Sequence, residues 1–297
     1  MKIKAWIQAA RPRTLPLSLS GILVGISLVE KPLHWSVVLC FTTTVFFQIL
    51  SNFANDLGDG IKGTDNDQRI GPMRAIQSGK ITIPSMKRAV ILFSFISFIS
   101  GTWLILSSPM LKSAGGILFY GLLAGSCILA AITYTVGKRS YGYFGLGDLM
   151  VFIFFGWVAV LGSRHLYHNE LHWSEILGAI SIGSWSTMVL NLNNLRDESN
   201  DRNSSKKTLV ILLGPSKART YHYFLAITGS LCWIILLSAK GIIEPKWYLG
   251  VLTLIPFALH LNDFSKIKDP IEYDPQLKRV ALATFFASLT VFTLSFF

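Results

Sequence analysis

The apolar residues of this chain fall in runs of about 18–22, each long enough to cross the hydrocarbon core of a bilayer as a helix. In lipid, a segment must satisfy its own backbone N–H and C=O groups, so such runs read as helix. Only 14% of the 297 residues are charged, against roughly 25% in ordinary soluble domains. The runs lie near 14–29, 36–54, 87–107, 114–134, 146–163, 173–193, 218–237, 247–262 and 280–296. They predict an all-α polytopic membrane protein with about nine transmembrane helices around a central cavity. No composition shift or long linker divides the chain, so residues 1–297 read as one integral-membrane domain.

Charge tests that count, because Lys and Arg concentrate in cytoplasmic loops. With the amino terminus inside, 22 of the 27 Lys and Arg fall in inner segments, and only Lys31, Lys112, Arg164, Lys240 and Lys246 fall outside. A wrong number of spans would scramble this split. The net charge of +11 is therefore a matter of orientation and anionic lipid contact, and it argues against nucleic-acid binding. The opening "MKIKAWIQAARPRTLP" is basic and amphipathic, without the apolar core and small-residue cleavage site of a signal peptide. It reads as an interfacial segment leading into the first span. Cys40, Cys127 and Cys232 stand singly in apolar runs, with no spacing that suggests zinc or disulfides.

Most of the acids also gather on the inner side, which orientation does not explain. "FFQILSNFANDLGDGIKGTDNDQRIGPMR", residues 46–74, ends an apolar run with Asn55, Asp56, Asp59, Asp65 and Asp67. A counterpart four helices later, "VLNLNNLRDESNDRNSSKKTL", residues 189–209, carries Asn193, Asp197 and Asp201 at i, i+4 and i+8. Asn55 and Asp59 are likewise four apart, so each set converges on one helix face. Like charges at that spacing repel, more so at a membrane boundary, where the dielectric constant falls. Carboxylates so arranged call for a cation, and oxygen ligands with room for water and phosphate suit Mg²⁺. One such cluster could simply cap a helix, but two at matched positions on one face make that reading poor. Arg69, Arg74, Lys80, Lys138, Arg202, Lys206 and Lys207 occupy the same inner loops. Metal-bearing carboxylates ringed by cations fit a phosphate or diphosphate ester. A lipid tail could run down between the helices, where Phe119, Tyr120, Trp157 and Trp185 are candidate lining residues. His165, His168 and His172 cluster in an outer loop, away from this site.

"NDLGD" (55–59) with "NNLRDESND" (193–201) resembles the paired Asp-rich motifs of the UbiA superfamily of membrane-embedded aromatic prenyltransferases. The hydroxynaphthoate-prenylating branch is the finer match, through "WIQAARPRTLP" (6–16), "NDLGDGIKGTD" (55–65), "RIGPMRAIQSG" (69–79), "AITYTVGKRSYGYFGLGDLMVFIFFG" (131–156) and "LNNLRDESNDRNSSKKTLVILLG" (192–214). Beyond residue 214 the likeness is in hydropathy alone. The superfamily has a further Asp four residues after the position of Asp59; here Gly63 stands there, and Asp65 is the candidate replacement.

The resemblance implies that Asn55, Asp56, Asp59 and Asp65 hold one Mg²⁺ against a polyprenyl diphosphate, while Asn193, Asp197 and Asp201 hold a second. Asp56, Asp59, Asp197 and Asp201 become the catalytic candidates. Lys62, Arg69, Arg74, Tyr134, Lys138, Arg202 and Lys206 become candidates for binding the diphosphate. Asp148, an acid just inside the fifth span and so costly to place there, is the candidate for the aromatic substrate. The implied reaction joins the polyprenyl group to 1,4-dihydroxy-2-naphthoate with loss of diphosphate and CO₂, on cytoplasmic loops of the cell membrane. It needs neither nucleic acid nor a protein partner. Prenylation of 4-hydroxybenzoate or homogentisate is the rival within the class. A secondary transporter is the rival outside it, although transporter ion sites sit near the bilayer midplane.

Overall fold

Helix occupies each of these apolar runs in the computed structural model, which describes residues 2–29, 34–67, 69–168, 170–241 and 244–297. Lys31 lies outside the described residues. In chain order the helices are α1 (Lys2–Ala10), α2 (Leu15–Ser27), α3 (Val37–Lys62), α4 (Ile83–Ser107), α5 (Ala114–Thr133), α6 (Gly147–His165), α7 (Trp173–Arg196), α8 (Glu198–Asn203), α9 (Leu209–Leu213), α10 (Pro215–Gly241), α11 (Ile255–Lys266) and α12 (Tyr273–Leu294). Tighter turns over Pro245–Leu254 lead into α11. Among the described residues, α3, α4, α5, α6, α10 and Pro270–Leu294 are long and apolar enough to cross a membrane by length and composition.

Burial explains why α7, although 24 residues long, is not among them. Ser181, Ser184, Ser186, Thr187 and Asn191 point into the protein, where they meet other helices instead of lipid. Helix α7 is the pillar of the bundle, packed against α6, α10 and α12. The short α2, almost wholly buried, packs against α6 and α12, and α3 bears on α4 and α5. Gly21 and Gly25 permit the close approach of α2 to α6: a Cβ on Gly21 would lie 2.5 Å from that of Ala159, and one on Gly25 would strike Ser163 and Val160. Phe152–Gly162 of α6 winds in wider π turns. Met150, Phe154, Val158 and Gly162, four apart, stay on the side that lines a central cavity. Helix α1 lies against α3, with Ala5 and Ala9 buried and Trp6 edge-on to Phe53 at 5.5 Å.

Three of the four aromatic residues named as candidate lining do not face the cavity. Phe119 and Trp157 are exposed on the outer surface, and Trp185 is fully buried between Trp233 and Phe257. Helices apolar on every side carry no periodic signal of which face turns inward. His165 is no solvated loop residue: it stacks on Tyr120 and shares a 3.0 Å hydrogen bond with its hydroxyl, at the end of the bundle opposite the acidic clusters.

A buried chain of polar groups ties four helices together. His222 of α10 contacts Asn191 of α7 at 3.0 Å and His260 of α11 at 2.8 Å, and His260 contacts Gln276 of α12 at 2.8 Å. Both imidazoles are fully buried. Truncating one strands its partners, at about 1–3 kcal/mol for each orphaned group. The variant His260→Leu should therefore melt several degrees below wild type in detergent, and an unchanged melting curve would show that the network contributes nothing.

Candidate active site

A cavity of about 400 Å³ runs among α2, α3, α4, α5, α6 and α7, with both acidic clusters in its wall. Asn55 and Asp59 reach it from successive turns of α3. Gly63 then closes that helix in a left-handed turn (φ 72°), with the Thr64 N–H bonded to the Asp59 carbonyl at 3.0 Å. Such a cap suits glycine because it lacks a Cβ. The turn folds the chain back and delivers Asp65 to the cavity wall. In the second cluster, α7 stops at Arg196, Asp197 caps it with non-helical backbone (ψ 10°), and α8 resumes the winding. Asn193, Asp197 and Asp201 all line the cavity across that break.

Cations stitch the two clusters into one site. Arg69 pairs with Asp65 at 3.1 Å and with Asp197 at 3.6 Å. Lys206 reaches from the second cluster to Asp59 at 3.3 Å, and the Asn200 amide donates to the Thr64 carbonyl at 2.9 Å. Arg74 stands 4.0 Å from Asp65. Arg69, Arg74, Lys206 and Tyr134 all line the cavity.

Other candidates stand apart from the wall, for identifiable reasons. Asp56 is buried and accepts from the backbone N–H groups of Ala75 (3.2 Å) and Ile76 (3.5 Å), so it holds the turn that carries Arg74. Lys62 donates to Ser140 and lies 3.8 Å over the Tyr143 ring. Lys138 is exposed on a turn, and Arg202, also exposed, pairs with Glu198 at 2.6 Å. Asp148 is buried against α7 with Oδ1 unpartnered; its neighbour Gly147, not Asp148 itself, contributes to the wall. Sequence reasoning passed over three contributors. Tyr143 donates to Asp59 at 2.7 Å. Arg196 bonds Asp197 through two nitrogens, Asn193 at 2.9 Å, and Asp274. Arg11 lines the cavity beside Asn55.

Along the described wall Asp59, Asp65, Asp197 and Asp201 stand among Arg11, Arg69, Arg74 and Lys206, yet burial leaves individual acids poorly compensated. Burial, reinforced by neighbouring Asp59, raises the pKa of Asp65, and its Oδ2 is buried without a hydrogen-bond partner. Burial pushes Asp201 up to about 7 despite Lys206 nearby. Asp197 is the contrast: burial opposes its ionisation, but the Arg196 hydrogen bonds hold it below the usual carboxylate range. Among the described residues no three His, Cys, Asp or Glu side chains close around a metal ion by themselves. Mg²⁺ takes one or two carboxylates and completes its shell with water and substrate phosphates. The orphaned Asp65 oxygen and the strained Asp201 carboxyl are the groups that such a cation would relieve.

The UbiA prenyltransferase family matches residues 15–292 of the chain. The 1,4-dihydroxy-2-naphthoate octaprenyltransferase of Escherichia coli (strain K12) is 39% identical over 299 residues, covering 100% of this chain and 96% of that protein. The enzyme of the same name from Haemophilus influenzae is 40% identical over 293 residues, covering 95% and 92%. Among solved structures, a UbiA homolog from Archaeoglobus fulgidus bound to DMAPP and Mg²⁺ superposes with a TM-score of 0.64 at 12% identity, covering 98% of this chain and 99% of that one.

The raised value at Asp201 has a measurable consequence. Its folded pKa lies above the unfolded one, so ionisation costs stability, and that cost is complete above about pH 7. A cation that binds the ionised form should therefore raise Tm more near pH 8 than near pH 6. Thermal melts with and without Mg²⁺ should show this difference, and Asp201→Asn should flatten it. Equal Mg²⁺ shifts in wild type at both pH values would contradict the assignment.

Proposed function

The chain belongs to the UbiA prenyltransferase family, and from that premise we propose that it transfers a polyprenyl group from polyprenyl diphosphate to 1,4-dihydroxy-2-naphthoate. Diphosphate and CO₂ leave, and the product is demethylmenaquinone, a step of menaquinone biosynthesis. The observation that carries the reading is the joining of the two acidic clusters: Arg69 spans Asp65 and Asp197, and Lys206 spans to Asp59. One diphosphate can then touch both.

The residues divide the work by charge. Arg69, Arg74 and Lys206 surround the place where the diphosphate sits, and each can trade a carboxylate partner for a phosphate oxygen. The departing diphosphate gains negative charge as the allylic C–O bond breaks, so fixed cations there stabilise the transition state more than the ground state. Mg²⁺, held by Asp59 and Asp65 on one side and by Asn193, Asp197 and Asp201 on the other, would supply Lewis-acid stabilisation of that charge, and the paired clusters favour two ions. Tyr143 and Arg196 keep Asp59 and Asp197 aimed. Below them Ile22, Phe47, Leu104, Leu123 and Phe155 give the cavity apolar walls. There the allylic fragment is shielded from water until the electron-rich ring attacks through carbon.

This reading places one membrane domain of nine spans in the cell membrane, amino terminus and active site on the cytoplasmic side. The relatives favour hydroxynaphthoate over 4-hydroxybenzoate or homogentisate as acceptor. Against a transporter stands the position of the carboxylates, gathered at one end of the helices instead of midway along interrupted ones.

Purified protein supplied with Mg²⁺, polyprenyl diphosphate and the naphthoate should release diphosphate, and chelation should stop it. Asp197→Ala should lower kcat by about 10²-fold or more while leaving membrane insertion intact. Near wild-type turnover in that variant would refute the shared-site mechanism. Asp56→Asn should instead show its main effect in stability, because its carboxylate holds backbone groups of the 74–79 turn.

A further inference from the structure

Arg11, in the link between α1 and α2, has a backbone that few residues adopt. Its φ of 51° and ψ of 65° put it in the left-handed region, which costs a non-glycine residue roughly 1–2 kcal/mol. The chain holds it there: the Arg11 N–H bonds to the Gln8 carbonyl at 3.1 Å, and both the Thr14 N–H and hydroxyl donate to the Arg11 carbonyl at 2.9 Å. Strain of this kind persists where the surroundings over-determine it and is a pointer to function. Its effect is to turn Arg11 into the cavity, whereas Arg13 two residues later is exposed.

The guanidinium arrives there near Asp56, Asp65 and Asp59, whose charges favour it, but in direct contact with none of them. With the Asn55 amide oriented so that its nitrogen donates to Asp59 at 2.7 Å, Arg11 Nη1 donates to the Asn55 oxygen at 3.3 Å, and Nη2 is buried with no partner at all. Among the described residues no carboxylate lies within ion-pair distance of it, unlike Arg69, Arg74, Arg196 and Lys206. A buried guanidinium nitrogen with no acceptor is costly unless a ligand supplies one. The acidic shell would repel a carboxylate ligand, so an acidic substrate needs a cation that still has an open donor, as Arg11 has at Nη2.

The wall beside Arg11 fits the rest of such a substrate. Gln48, Ser51 and Asn52, on turns of α3 preceding Asn55, line the cavity together with Thr14. They form a neutral hydrogen-bonding group: Gln48 donates to Asn52 at 3.2 Å and Thr14 at 3.4 Å, and Asn52 donates to the Ala10 carbonyl at 2.8 Å. Neutral donors and acceptors serve phenolic hydroxyls well and serve an isoprenoid tail not at all. We propose that Arg11 binds the carboxylate of the aromatic acceptor and that Gln48 and Ser51 meet its ring hydroxyls. This rests on the prenyl-transfer reading above, and it moves the acceptor from Asp148 to the α3 side of the cavity. Bonded to Arg11, Asn55 also bonds Asp59, so the ring would lie next to the diphosphate-binding shell, where the allylic carbon must be.

Two stable analogues differing only by the carboxylate separate this from other roles. With wild type, Arg11→Gln and Arg11→Lys as full-length proteins, the measurements are KM for each substrate and inhibition constants for 1-hydroxy-2-naphthoate and 1-naphthol. Arg11→Gln should raise the acceptor KM and the constant for 1-hydroxy-2-naphthoate by about 10- to 100-fold, the worth of a charge-assisted hydrogen bond. It should move the constant for 1-naphthol and the KM for polyprenyl diphosphate less than about twofold, and Arg11→Lys should restore part of the loss. A raised diphosphate KM with an unchanged acceptor KM would assign Arg11 to the diphosphate and overturn the proposal, as would equal weakening of both analogues. Should Arg11→Gln fail to fold, Arg11→Lys and Gln48→Leu carry the test. Gln48→Leu should weaken both analogues alike, and retention of full affinity for both would count against the proposal. A wild type that consumes polyprenyl diphosphate with no aromatic acid would instead defeat the prenyl-transfer reading itself.

Discussion

Charge of both signs is sealed into one end of an apolar bundle, and the pairing of those charges across helices is what the site depends on. Asp59 raises the cost of ionising Asp65, and Asp197 and Asp59 together raise that of Asp201. Neither cluster could remain charged alone at such burial. Lys206 answers Asp59 and Asp201 together, so that despite its burial it stays protonated more firmly than a free lysine. Arg69 joins the two clusters, and Arg196 locks Asp197 to Asp274 at the start of α12. The ends of α3, α7 and α12 are thereby fixed relative to one another by the same groups that would meet a substrate. A diphosphate entering this network exchanges partners within it and does not have to organise it, which is the condition for electrostatic preorganisation.

Run length and the inner concentration of Lys and Arg disclosed where the helices lie, because lipid admits little else. The two acidic clusters were legible for a related reason: a carboxylate at a membrane boundary is too expensive to be incidental. Direction was not legible. Asp56 and Asp59 sit three apart on α3 and look equivalent, yet one serves the backbone of a distant turn and the other faces the cavity. The distinction depends on where residues 74–79 fold, about which α3 carries no information. Asp65 became a wall residue through the left-handed turn at Gly63. Trp157 and Trp185 could not be sorted because a membrane helix is apolar towards lipid and towards protein alike. Arg11 was disguised by its setting, since a basic residue before the first span is what orientation alone would place there. What sets it apart is the backbone at one residue and a buried guanidinium nitrogen with no acceptor, both of them three-dimensional facts.

The cavity carries a gradient of chemistry along its length, and α3 alone displays most of it. From Lys62 backwards the helix offers a carboxylate at 59, an amide at 55, amide and hydroxyl groups at 52, 51 and 48, then Phe47 and the hydroxyls of Thr44 and Thr43. A polyprenyl diphosphate runs in the same direction from anion to hydrocarbon, and the polar ring of a hydroxylated aromatic acid suits the neutral stretch between. At the far end Tyr120 is bonded to the Gly162 carbonyl and stacked on His165, tying α5 to α6. Among the described residues that line the cavity, the charged side chains all lie at the end of the acidic clusters. A carrier needs matched, exchangeable sites reachable from either side, whereas this wall is graded in one direction. That asymmetry suits holding two dissimilar reactants in fixed register, because each segment of wall fits only one portion of one reactant.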